Sequence, residues 1–235
     1  YSTGAILKAG RNKKFNVWDV IYNDSPFGVG FHHRNPNSFY ERTKAFVENA
    51  QNQNKPFFLY ANPIDPHRPW VDTDQEKKMK GDWNPDRPGP MPSRRYTEEE
   101  IEIPDFLLDL PDIRKNLVPY YESLHRGDEC VGSILKAIDD SDMRDNTLVI
   151  FLSDHGLAAP GAKTTLYQDG IRTPIIMRWP DKIKEGVIDE KSIVSAIDLV
   201  PTIVDAIGFP SLGKIEGQSI IDVILGKSAQ TKREY

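Results

Sequence analysis

Two kinds of hydrophobic spacing alternate along the chain. Residues 56–61 (Pro-Phe-Phe-Leu-Tyr-Ala) and 148–152 (Leu-Val-Ile-Phe-Leu) are short unbroken apolar runs between turn formers. That is the pattern of strands buried on both faces of a sheet. Residues 175–179 (Ile-Ile-Met-Arg-Trp) form a third such run, stopped by Pro180. Residues 15–22 alternate loosely and predict a short strand. Elsewhere the apolar positions recur near a 3.6-residue period, which predicts amphipathic helices. Over 38–51 the apolar side is Phe39, Ala45, Phe46 and Ala50. Over 112–139 it is Val118, Tyr121, Leu124, Val131, Ile134, Leu135 and Ile138. Residues 198–206 predict a further helix, with Asp198 as its cap, Pro201 in the first turn and Gly208 as terminator.

Helices alternating with short apolar strands predict an α/β fold: a mostly parallel or mixed central sheet with helices on both faces. In such sheets ligands bind at the carboxyl ends of strands. The polar stretch from Val71 to Pro104 is rich in Pro, Asp, Lys and Arg and shows little periodicity. It reads equally as a functional or mobile loop and as a solvated insertion.

Composition narrows the picture. A chain of 235 residues suits one large domain or one and a half ordinary ones. The formal net charge of −5 gives no electrostatic case for nucleic acid or an anionic membrane surface as partner. No apolar run approaches the roughly 20 residues of a membrane helix. The single cysteine, Cys130, excludes an internal disulfide and a cysteine-based zinc site. It falls in a helical pattern, where a buried structural thiol is expected. Asn23-Asp24-Ser25 is a lone glycosylation sequon that matters only in a secretory setting.

Two of the predicted strands run into residues of catalytic type. The first leads to Asp65-Pro66-His67-Arg68-Pro69 and the second to Ser153-Asp154-His155-Gly156. Asp154 and His155 can offer an oxygen and a nitrogen to one metal ion, and Gly156 lets the chain turn away. The alternative is an aspartate capping the next turn. His67 sits between two prolines that restrict its backbone, and its alternative role is to pack the turn. Lys163 lies in a loop of small residues, where a solvated lysine is also an ordinary occurrence. Lys8 alone is uninformative.

Taken in order, these segments resemble the sulfatase family of the alkaline phosphatase superfamily. Ser2-Thr3-Gly4-Ala5-Ile6-Leu7-Lys8 is similar to the family's Y-x-T-x-x-x-G-K segment, and Lys55 to Tyr60 with Asp65-Pro66-His67-Arg68-Pro69 to its central strand and substrate histidine. Asp145 to Gly156 is the closest match; Lys163 to Pro174 is similar to the downstream lysine loop, and Ala196 to Ile203 to the family's D-L-x-P-T helix. The Asp-Pro-His-Arg-Pro form is nearest the N-sulfoglucosamine sulfohydrolase branch.

The resemblance implies a hydrolase of sulfate esters or sulfamates on sulfated carbohydrates, as in glycosaminoglycan degradation. It implies a formylglycine nucleophile, made from the Cys or Ser of a Cys/Ser-x-Pro-x-Arg motif, and a divalent ion, calcium first with magnesium as the alternative. Asp154 and His155 become metal ligands. Lys163 and His67 become sulfate-binding residues, either of which protonates the leaving group, and Lys8 holds the nucleophile region. The nucleophile motif does not occur in the 235 residues, so it is expected upstream, and this stretch alone is expected to be inactive. Residues 1–210 are expected to be part of the catalytic domain and 211–235 the start of the link to a C-terminal subdomain. Family habit implies a periplasmic, secreted or lysosomal setting, and oligomeric state is unreadable.

Leu7 stands in place of the family glycine, and Gly10 and Arg11 stand where a histidine is expected. Two further readings therefore stay open: a phosphoester or phosphonate hydrolase of the same superfamily, and a non-catalytic protein that binds sulfated glycans.

Overall fold

The computed structural model describes residues 1–6, 20–21, 34–78, 89–210 and 213–233. Lys8, Gly10 and Arg11 lie outside them. The chain divides into two compact units, residues 1–144 with 154–173 and residues 145–153 with 174–235.

In the first unit three strands form a parallel sheet in the order β2-β1-β3: β1 (Ser2–Ile6), β2 (Val20–Ile21) and β3 (Phe57–Ala61). Ser2 pairs with Phe57 and Ile6 with Ala61, while Gly4 pairs with Val20. Helix α1 (Pro36–Asn52) starts where Asn35 Oδ1 accepts the Asn37 N–H at 3.0 Å, with Pro36 in the first turn; proline suits that position because its missing N–H has no intrahelical acceptor there. α1 packs on β1 and on the long helix α3 (Pro111–Asp139). Ile6, Phe39 and Cys130 form the centre of this core, with Leu59, Ala61 and Ile134 against it. Gly4 has no side chain because the Phe46 ring occupies the place of its Cβ. Each such fully buried Phe contributes roughly 1.5–3 kcal/mol.

The structure corrects several expectations. β3 is not enclosed on both faces: it alternates, with Phe58 42% and Tyr60 47% exposed. It pairs with β1 alone among the described residues, so one face carries the packing. In α1 the buried side is Phe39, Thr43, Phe46, Val47 and Ala50, and Ala45 is exposed. In α3, Leu124 is exposed while Glu122, Ser123, Arg126 and Gly127 are buried.

The described parts of the Val71–Pro104 stretch are ordered against α3. Thr73 Oγ1 caps the short helix α2 (Asp74–Lys77) by accepting the Glu76 N–H. Glu129 accepts the Ser93 N–H at 2.8 Å, and Arg95 Nε donates to Glu122 at 2.5 Å. His125 lies between Ser93 Oγ (3.2 Å) and the Tyr96 hydroxyl (3.4 Å). α3 carries Pro119 inside it. Ser123 Oγ donates to the Pro119 carbonyl and accepts the Val71 N–H, both at 2.8 Å.

The second unit holds β4 (Val149–Leu152) and β5 (Ile175–Arg178), an antiparallel pair in which Val149 faces Arg178 and Leu152 faces Ile175. These runs too were expected to be enclosed, yet Phe151, Leu152 and Ile176 are exposed. Helix α5 (Leu199–Ala206) follows a 3-10 turn at Ala196–Asp198 and ends at Gly208, whose φ of +65° is the left-handed stop expected there. The buried Asp198 carboxylate makes no side-chain cap on α5. It accepts the Ser195 and Gln218 N–H groups, each at 2.8 Å, and Arg233 Nη2 at 2.5 Å. Burial opposes its charge, but these donors hold its pKa below the ordinary carboxylate value.

Candidate active site

Four of the five candidate residues lie in the first unit, and the fifth, Lys8, falls outside the described residues. The His67 turn follows β3 and rests on buried charge. The Asp65 side chain is wholly excluded from solvent. Arg126, equally buried, donates from Nε at 2.6 Å and from Nη2 at 3.3 Å, and Arg34 Nη1 donates to Oδ1. Arg126 also reaches Glu76 at 2.8 Å and the Pro90 carbonyl at 3.1 Å. Two arginines against Asp65 and Glu76 balance formally, which is the condition for burying them at all. Burial alone pushes the Asp65 carboxyl up, and Arg126 and Arg34 pull against it. α3 comes so near that a Cβ on Gly127 would stand 3.0 Å from the Asp65 carbonyl oxygen.

This base fixes the turn above it. Arg34 Nη2 donates to the His67 carbonyl at 3.0 Å, and the His67 N–H donates to Ile64 at 2.9 Å. The bonds Asp65-Pro66 and Arg68-Pro69 are cis. The His67 ring is exposed, with Nδ1 2.6 Å from the Arg68 carbonyl. A carbonyl only accepts, so Nδ1 carries a proton and the neutral ring keeps its lone pair on Nε2.

The second segment begins two residues beyond β4. The Asp154 side chain is 76% exposed and its Oδ2 lies 3.5 Å from His155 Nε2. His155 Nδ1 lies 2.8 Å from the Gly156 carbonyl, which by the same argument puts the lone pair on Nε2, the atom nearest the carboxylate. Gly156 is required because a Cβ would strike the Asp169 carbonyl. Its N–H donates to Gly170 at 3.3 Å, closing the loop between them. Inside, Thr165 Oγ1 lies 2.7 Å from the carbonyl of the buried Ala162. Lys163 is half-buried and its N–H donates to Leu157 at 3.0 Å. Arg68 Nη2 donates to the Ala158 carbonyl at 3.5 Å, tying the His67 turn to the loop that carries Lys163.

The chemistry of the Asp154–His155 pair suits a divalent cation. A hard carboxylate and an imidazole whose tautomer is fixed by a backbone carbonyl stand close enough to share one ion. Among the described residues no group of three or more His, Cys, Asp and Glu side chains stands together. Cys130 takes no part: it is buried in the α1–α3 core, and burial pushes its thiol up to about 12. Arg34, Arg126 and Glu76 were not singled out from sequence. The one available signal was an arginine recurring on the core side of a helix.

The exposed His67 turn and the Asp154–His155 pair lie in one compact unit. Comparison with known proteins gives the family. The sulfatase family model matches residues 10–209, and the chain belongs to that family. Over 161 residues, 66% of the chain, it is 33% identical to N-sulphoglucosamine sulphohydrolase of Homo sapiens. Over 138 residues, 59% of the chain, it is 28% identical to an ulvan-active sulfatase of Formosa agariphila. These alignments span 32% and 22% of the two relatives, so the chain covers about a third of their length or less. A solved 2-O GAG sulfatase superposes on all of the chain and 56% of its own with a TM-score of 0.64 at 17% identity, which shows the alkaline phosphatase-like fold. Sulfatases use a divalent metal and a formylglycine.

Proposed function

We propose that the protein containing this chain hydrolyses sulfate esters or sulfamates on sulfated carbohydrates, with residues 1–210 as part of its catalytic domain and 211–235 leading toward a C-terminal subdomain. The observation that carries this reading is the Asp154–His155 pair. An exposed carboxylate stands 3.5 Å from an imidazole nitrogen, in the same compact unit as the His67 turn and the Lys163 loop. Asp154 and His155 would hold a divalent ion, calcium first with magnesium as the alternative, either of which suits a hard carboxylate; bound there, it would spread the negative charge of the sulfate group. Lys163 and His67 bind sulfate oxygens, and one of them gives the leaving group its proton. Lys8 is assigned the nucleophile region. The relatives' names support the substrate class: one acts on N-sulphoglucosamine, another on ulvan.

The test is release of inorganic sulfate from N-sulfated and O-sulfated saccharides by the whole protein, with and without a chelator. Chelator-sensitive release is the expected result. Hydrolysis of an aryl phosphate with no sulfate release would move the protein to phosphoester chemistry, and saccharide binding without turnover would make it a binding protein.

A further inference from the structure

Arg68 stands beside His67, and the mechanism above leaves it unused. Its guanidinium lies over the Trp70 ring, 4.5 Å from the centroid. Trp70 is itself fixed, because its Nε1 donates to the Pro66 carbonyl at 3.1 Å and its ring meets Tyr120 edge-on at 5.6 Å. The platform is therefore built from the His67 turn and α3 together. Stacking orients a guanidinium as well as attracting it, and leaves N–H groups at its rim for an oxyanion. Four other arginines of this unit are ion-paired: Arg94 to Glu100, Arg95 to Glu122, Arg114 to Asp109 and Arg126 to Asp65. Arg68 is exposed and makes no ion pair among the described residues; its polar bond is the long one to Ala158. On a chain with a net charge of −5, a cation so oriented favours anions locally where the whole molecule does not.

We infer that Arg68 is a specificity-determining residue: it binds a second anionic group, a sulfate or a carboxylate, on the sugar chain next to the sulfate group held at His67. His67 and Arg68 are consecutive in one turn and both are exposed, an arrangement suited to reading neighbouring substituents of one saccharide. The inference rests on the hydrolase reading for its substrate. The recognition itself is a binding property and is measured separately from turnover.

Wild type, Arg68→Ala and Arg68→Lys of the whole protein are compared on three saccharides: one carrying the scissile sulfate alone, the same with an added sulfate, and the same with a uronate carboxylate. Binding is read by titration calorimetry and turnover by sulfate release. Loss of a charge-assisted bidentate contact predicts an affinity fall and KM rise of about 10- to 100-fold for Arg68→Ala on a doubly anionic saccharide. The fall should be much smaller on the monosulfated saccharide, so that the ratio between the two saccharides carries the result. Arg68→Lys should restore part of the loss, because it keeps the charge and loses the fork. Whichever of the two added anions shows the effect identifies the group that Arg68 reads. Equal weakening on all three saccharides, or none on any, overturns the inference, since Arg68 would then only support the turn or cover Trp70. Wild type that binds without releasing sulfate overturns the hydrolase reading, while the calorimetric comparison still decides Arg68.

Discussion

Asp65 lies four residues beyond β3 with a carboxylate wholly out of solvent; Asp154 lies two residues beyond β4 with a carboxylate three-quarters exposed. Asp65 is met by two arginines, and its bonds are spent within the protein. Asp154 has an imidazole at 3.5 Å and an open side. The same residue type, after two strands of similar composition, becomes a buried foundation in one place and an exposed carboxylate in the other. The difference lies in whether buried guanidinium groups reach it, and those come from segments remote in sequence.

Substitutions should separate the two. Asp65→Ala leaves Arg34 and Arg126 buried without their shared counter-ion, and should lower unfolding free energy by about 3–5 kcal/mol. Urea titration checks it, and a loss under about 1 kcal/mol would erase the distinction. Asp198→Asn is the corresponding test in the second unit, where a buried carboxylate serves three donors. It should cost about 2–3 kcal/mol. Because the Asp198 pKa is depressed in the folded state, its contribution is fully present above the unfolded carboxyl value of about 3.9 and is lost as pH falls through the lower folded value. Wild type should shed this increment in acid and the variant should not, as free energies measured between neutral pH and strong acid would reveal.

Asp154→Ala should change stability by less than about 0.5 kcal/mol, as for exposed sites generally, and yet remove divalent-ion binding followed by calcium titration calorimetry. Unchanged calcium affinity would withdraw Asp154 as a ligand. The smallest perturbation is chemical. Cys130, buried with its thiol pushed up to about 12, should resist a maleimide at neutral pH until the protein opens. Rapid labelling of the folded protein would show that the α1–α3 core is looser than described.

The helices were legible in the sequence because each has one apolar side long enough to repeat. Their contact faces were less so. α3 presents Glu122 and Arg126 to the interior, and a search for apolar period passes over them; it favoured Leu124, which is exposed. Burial of those charges depends on Arg95, Asp65 and Glu76, tens of residues away. The strand positions were legible and their degree of enclosure was not, since residues such as Phe58 and Tyr60 of β3 are apolar whether or not the described structure covers them. At the candidate site the residue types and order were readable. What required coordinates was the tautomer of His155, set by the Gly156 carbonyl, and the stacking that aims Arg68.

Gly127 gives the His67 turn a mechanical address. The helix and the Asp65 backbone approach to the limit that a hydrogen atom permits, and a methyl group there would meet the carbonyl oxygen at 3.0 Å. Gly127→Ala is therefore a wedge that carries no charge and removes no bond. It presses on the chain two residues before His67 and substitutes none of Asp154, His155 and Lys163. Any change it makes in saccharide binding measures how stiffly the turn is mounted, which deleting a side chain cannot do.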